Sequence, residues 1–117
     1  MNKLLLTGNL TADARVNTVK EGQVAVSFTV ATNDGYSDAQ GNWVEDVQFH
    51  DCTRFVSGDG QKLVAALMKG RGIEVEGSLR SSKPREGNDG KVYHNKFVRV
   101  ENIKFGALPK AKDAPDE

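Results

Sequence analysis

The chain has 117 residues, 38% of them hydrophobic and 27% charged, with 16 Lys and Arg against 16 Asp and Glu. That length fits one domain with its own core, and the single cysteine, Cys52, excludes an internal disulfide and a cysteine-based zinc site. Zero net charge argues against a protein whose whole surface embraces a polyanion. Without residues 107–117 the count is 14 against 13, so affinity for such a partner has to come from the placement of charge.

No apolar run approaches the ~20 residues of a membrane span. Residues 1–6 are too short for a secretory signal, so no membrane association and a cytoplasmic location are expected. Residues 3–10 form the first apolar run, closed by Gly8-Asn9. Residues 11–22 show no helical stripe. Residues 23–32 alternate, with Val24, Val26, Phe28 and Val30 on one face and Ala25, Ser27, Thr29 and Ala31 on the other. The small-residue face leaves room for something to approach closely. A polar, turn-rich stretch, residues 34–42, leads into a third strand over residues 43–56, making a long hairpin.

Within that third strand, Val47-Gln48-Phe49-His50-Asp51-Cys52-Thr53-Arg54-Phe55-Val56 is the most informative segment. Alternation sends Phe49 and Phe55 to the same face with Asp51 and Thr53 between them. Two rings on a partly polar sheet surface suit the stacking of unpaired bases, while two core phenylalanines are the plainer alternative.

The period then changes. Leu63, Val64, Leu67 and Met68 mark an amphipathic helix of about three turns, with Ser57 or Asp59 as N-cap and Gly70 ending it after Lys69. Residues 73–80 alternate as a fourth strand, in which Gly77 allows a sharp bend. Residues 81–91 are a polar excursion. Residues 92–105 form a fifth strand whose apolar parity switches between Tyr93/Phe97, Val98/Val100 and Ile103/Phe105, predicting a β-bulge or bend. Residues 107–117 have no period and read as a short disordered tail after a domain of residues 1–106.

Three strands, one helix and two strands give an all-β chain in the order of a five-stranded OB-fold barrel, with the helix between strands three and four. An SH3-like barrel lacks that helix, and a ferredoxin-like fold needs one between the first two strands.

In this register the chain resembles the bacterial single-stranded DNA-binding proteins. The resemblance rests on Asn2-Lys3-Leu4-Leu5-Leu6-Thr7-Gly8-Asn9-Leu10, Phe28-Thr29-Val30-Ala31-Thr32, Phe49-His50, Lys69-Gly70 and Val75-Glu76-Gly77-Ser78-Leu79-Arg80, and covers residues 2 to about 105. It implies a non-enzymatic homo-oligomer, usually a tetramer, around which single-stranded DNA wraps in replication, recombination and repair. It also implies that Tyr36, Phe49 and Phe55 stack on bases and that His50 lies at a subunit contact. Two departures stand out. Pro84 falls where the family has a further aromatic, and Asp51 where it usually has arginine, so the third-strand face is expected to hold phosphate less well. Full-length members end in an acidic, hydrophobic tip that recruits replication and repair enzymes, whereas residues 107–117 end at Asp116-Glu117 with no hydrophobic tip.

Candidate phosphate contacts are Lys3, Arg54, Lys62, Lys69, Arg80, Lys83, Arg85 and Lys91, with Arg80, Lys83 and Arg85 clustered at the base of the loop between strands four and five. Trp43, flanked by Gly41-Asn42, is a candidate for stacking or for a protein interface. No metal or other cofactor is expected. Asp46, His50 and Cys52 share a strand face but spread over ~20 Å, too far for one ion. Catalysis is not expected either: Ser57-Gly58-Asp59-Gly60 lacks the lysine of a phosphate-binding loop, and His94 has no nucleophile near it in sequence. The alternative to DNA binding is an OB-fold module acting mainly through protein contacts, as a primosome-type subunit does.

Overall fold

The computed structural model describes residues 1–108 except Lys83, and Arg85 by its backbone alone. The alternating segments become the five barrel strands: β1 (Leu4–Leu10), β3 (Gln23–Asn33), β6 (Val47–Ser57), β7 (Gly72–Ser81) and β10 (Lys96–Phe105). They pair in the order β1-β7-β10-β6-β3, and β1 returns to β3 through Asn9↔Ala31 and Leu10↔Val30 to close the barrel. β10 runs parallel to β6, with Val98 beside Cys52 and Arg99 beside Thr53. Every other barrel contact is antiparallel.

The inward set is the one that period two predicts: Val24, Val26, Phe28 and Val30 meet Cys52, Ile73, Val75, Val98 and Val100 in one buried cluster. Two glycines let the strands close around it. At Gly8 a Cβ would overlap the carbonyl oxygen of Ala31, and at Gly77 it would overlap that of Arg99. The expected bend at Gly77 is thus a close backbone approach. The expected bulge also appears, as a register shift between Val100 and Asn102 opposite Gly77 and Glu76.

Three elements depart from expectation. Residues 15–20, Arg15–Lys20, form a strand, β2, paired antiparallel with β3; it flanks the barrel as a sixth strand. The third strand is interrupted. Trp43–Val44 (β5) pairs with Tyr36–Ser37 (β4) in a separate ribbon, and β6 begins at Val47. The break lies where the Asn33 side-chain oxygen accepts from the backbone N–H of Gly35 and of Asp46, drawing both strands out of the ladder. Finally, the helix, α1 (Gln61–Ala66), is shorter than three turns. Gly60, with φ +69°, is its N-cap, and Asp59 accepts from the Gln61 N–H. Beyond Ala66 the chain bonds elsewhere: Leu67 C=O accepts from Ala14 N–H, and Lys69 N–H donates to Asp13. Gly70 therefore does not end the helix but donates to Leu10 C=O. Leu67 is fully buried and plugs this end of the barrel.

A second ribbon, β8 (Arg85–Glu86) with β9 (Val92–Tyr93), occupies the loop before β10. Gly106 N–H donates to Gly72 C=O and Gly72 N–H donates to Ala107 C=O, extending the order one residue past the expected end of the domain. Residues 109–117, the greater part of the expected tail, lie outside the described residues. No helix among the described residues is long and apolar enough to cross a membrane.

Candidate nucleic-acid interface

The outer face of β6 carries Phe49, 67% exposed, and Phe55, 39% exposed. The core reading of these two rings is therefore excluded. Their partners across the ladder are small: Ala31 stands opposite Phe49 and Ala25 opposite Phe55. Between the rings, Thr29 donates to Asp51 at 3.0 Å, and Ser27 meets Thr53 at 3.5 Å. A low polar floor thus separates two rings that are six positions, or about 20 Å, apart along the strand. The room foreseen beside β3 is the room these rings stand over.

Tyr36 (54% exposed) and Trp43 (63%) project from the β4–β5 ribbon, which extends the β3–β6 hairpin beyond Phe49. On the β8–β9 ribbon, Tyr93 is also exposed. Its hydroxyl donates to Asp89, a bond that lowers the Asp89 pKa and raises that of Tyr93. Tyr93 was not anticipated as a site residue. Its sequence signal is the same as that of Trp43, an aromatic just after a glycine turn: Gly41 and Gly90 both take positive φ.

The basic candidates separate into groups. Lys3 pairs with Glu76 at 2.6 Å, and hydrogen bonding and charge from Glu76 raise its pKa. Its charge is therefore already shared with an acid. Arg54 alternates onto the same side of β6 as Cys52 and Val56, opposite to Phe55, and is half-buried. That removes it from the aromatic face. Lys62 on α1 and Lys69 after it are exposed but do not line the groove beside Phe55. Lys91 is exposed in the β8–β9 turn. Lys83 lies outside the described residues, and of Arg85 only its backbone place on β8, opposite Tyr93, is described.

Arg80 is the candidate that the fold brings to Phe55. It lines an open groove of about 510 Å³ with Phe55, Ser78 and Glu101. Arg99, missed in the sequence, lines the same groove, with its guanidinium carbon 5.9 Å from the centre of the Phe55 ring. Its signal was Val98-Arg99-Val100, which puts Arg99 on the polar parity of a strand; that this parity faces Phe55 depends on the parallel β6–β10 pairing.

His50 is half-buried on the side of β6 opposite to Phe49, with its Nε2 3.0 Å from Thr32 Oγ1. Cys52 is fully buried, and burial pushes its thiol pKa up to about 12. It is an inert core residue.

The fold and this face define a closed OB barrel with exposed rings and arginines on one outer sheet surface. Residues 1–106 match the model of the Single-strand binding protein family, and the chain belongs to that family. Among its curated relatives, Single-stranded DNA-binding protein 1 of Xylella fastidiosa is 37% identical over 107 residues, 91% of this chain and 78% of that protein. Single-stranded DNA-binding protein 1 of Chlorobaculum tepidum is 32% identical over 84% of this chain, which spans only 58% of that relative's length. A Plasmodium falciparum SSB solved in complex with ssDNA shares the fold, with a TM-score of 0.76 and 20% identity, covering 92% of this chain and 96% of that one.

Proposed function

We propose that this protein binds single-stranded DNA with little sequence preference, protecting it during replication, recombination and repair. The observation that carries this reading is the pair of exposed rings, Phe49 and Phe55, over the small residues of β3. Every base has a π face, and one stacked base contributes roughly 1–3 kcal/mol. Tyr36 adds a third platform, with Arg80 and the loop residues Lys83 and Arg85 supplying phosphate contacts. Lys62 and Lys69 extend the basic surface, and Lys3 contributes only by exchanging Glu76 for phosphate. The activity is binding rather than catalysis, in the cytoplasm and at the nucleoid, with residues 1–106 as the binding domain and residues 107–117 as a tail.

The relatives that are named single-stranded DNA-binding proteins support the reading. Binding of labelled dT oligonucleotides, followed by anisotropy at several salt concentrations, tests it. Phe49→Ala and Phe55→Ala should each weaken binding roughly 5- to 150-fold. No binding by the wild-type chain at low salt would overturn the function.

We also propose a homo-oligomer, in the tetrameric form of the family, with His50 at a subunit contact. The Thr32 hydroxyl holds the imidazole in one orientation. His50→Ala should shift sedimentation at low protein concentration toward smaller species, and an unchanged profile removes His50 from the interface.

A further inference from the structure

From the groove beside Phe55 we infer a one-nucleotide subsite in which the base stacks on Phe55 and its phosphate is held between Arg80 and Arg99. Arg99 is then the phosphate ligand that this barrel uses in place of a cation on β6. The inference rests on the single-stranded DNA reading above and specifies which atoms serve it.

Three observations converge on this groove. First, the register fixes the arginines as near neighbours. Arg99 stands opposite Ser78 and Arg80 lies two residues further along β7, a diagonal relation that sets their backbones ~7–8 Å apart on one face, and both side chains line the same groove. Second, neither has a carboxylate within salt-bridge distance among the described residues, where Lys3–Glu76 is the ion pair. Two like charges held side by side without a neutralising partner repel, and a phosphate placed between them removes that cost. Third, Arg99 reaches the Phe55 ring, so base and phosphate contacts are set at one nucleotide's reach from each other. Asp51 sits earlier on β6, where it accepts from Thr29 and keeps that part of the face unfavourable to phosphate. The cation is supplied from the next strand, β10, which the parallel pairing brings alongside.

The groove also holds one acid, Glu101, past Arg99 on β10. It weakens the phosphate site without cancelling it, since two arginines face it. Asn2 lines the groove but is committed: its side chain accepts from Leu79 N–H at 2.9 Å and donates to Leu79 C=O at 2.8 Å. It braces β7 behind the arginines.

The test is the salt dependence of dT oligonucleotide binding, measured by anisotropy of a labelled strand. Each phosphate neutralised on a single strand contributes roughly 0.7 to the slope of log K against log salt. Arg99→Gln should weaken binding about tenfold at low salt and lower the slope by about that increment, while Arg99→Lys keeps the slope. Phe55→Ala should weaken binding and leave the slope as it was. Glu101→Gln should tighten binding, an outcome that misfolding cannot produce. If Arg99→Gln leaves the slope unchanged while the wild type binds, Arg99 only supports the ring and the subsite is wrong. If the wild type does not bind at all, the broader function fails first.

Discussion

The indole of Trp43 lies against the backbone of Gly35, close enough that a Cβ on residue 35 would come within 2.5 Å of the ring. Tyr36 follows Gly35 directly and pairs with Val44, so one glycine sets the position of one ring and the start of the strand that carries the other. The ribbon is thus a small platform attached to the β3–β6 hairpin through the Asn33 side chain.

Gly35→Ala should push the indole off the backbone and change the emission of Trp43, the sole tryptophan, while leaving the urea midpoint nearly unchanged, because the ribbon adds nothing to the barrel core. An identical emission spectrum would contradict the contact. Trp43→Ala decides whether the exposed ring has a role: if affinity for dT and sedimentation both match the wild type, it has none.

Asp51→Arg should tighten dT binding and steepen the salt slope, since it replaces a charge that repels phosphate with one that attracts it. The lost bond from Thr29 lies at an exposed site, so stability should fall by no more than about 1.5 kcal/mol. Unchanged affinity across salt concentrations would place the DNA path away from the middle of β6.

Two glycine substitutions should differ sharply. Gly77→Ala sets a methyl against the Arg99 carbonyl, backbone against backbone, and should cost about 3 kcal/mol or more in chemical denaturation. Gly90→Ala meets no atom within 4 Å and suffers only the strain of φ +78°, about 1–2 kcal/mol. Equal losses would mean that barrel closure is looser than the β7–β10 register implies.

Cys52 should make the fold sensitive to alkali. Its thiol titrates near 9.0 when unfolded but is pushed up to about 12 in the barrel by burial, with the Asp51 charge adding to the effect. The folded state therefore keeps the proton that the unfolded state releases. The Cys52 contribution is whole below pH 9 and falls through the interval from 9 to 12, by roughly 1.4 kcal/mol per pH unit. Denaturation midpoints of wild type and Cys52→Ala across that interval should converge as pH rises; parallel curves would contradict the shift.

Much of the barrel was legible because its strands are amphipathic with period two. Val24, Val26, Phe28 and Val30 announce their inward face in the sequence, and the same rule puts Phe49 and Phe55 outward together. Where side chains rather than periodicity set the path, the reading failed. Asn33 breaks the third strand by accepting from two backbone N–H groups, a contact across the hairpin that no alternation reveals. The helix stripe runs on through Met68, yet the carbonyl of Leu67 is taken by Ala14, and the helix stops at Ala66. The strand at residues 15–20 has only Val16 and Val19 to mark it, and pairing with β3 makes up what its weak pattern lacks.

The candidate site divides along the same line. Alternation along each strand by itself determined that Phe49 and Phe55 share a face, that Asp51 lies between them, and that β3 has one face of small residues. Only the tertiary structure decided which charges belong to that face. It tied Lys3 to Glu76 and set Arg80 and Arg99 beside Phe55. Local periodicity tells a side chain which way to point, but its neighbour across the sheet depends on register between distant segments. That register is set by closing the barrel around Val26, Val75 and Val98, and by the glycines that allow it to close.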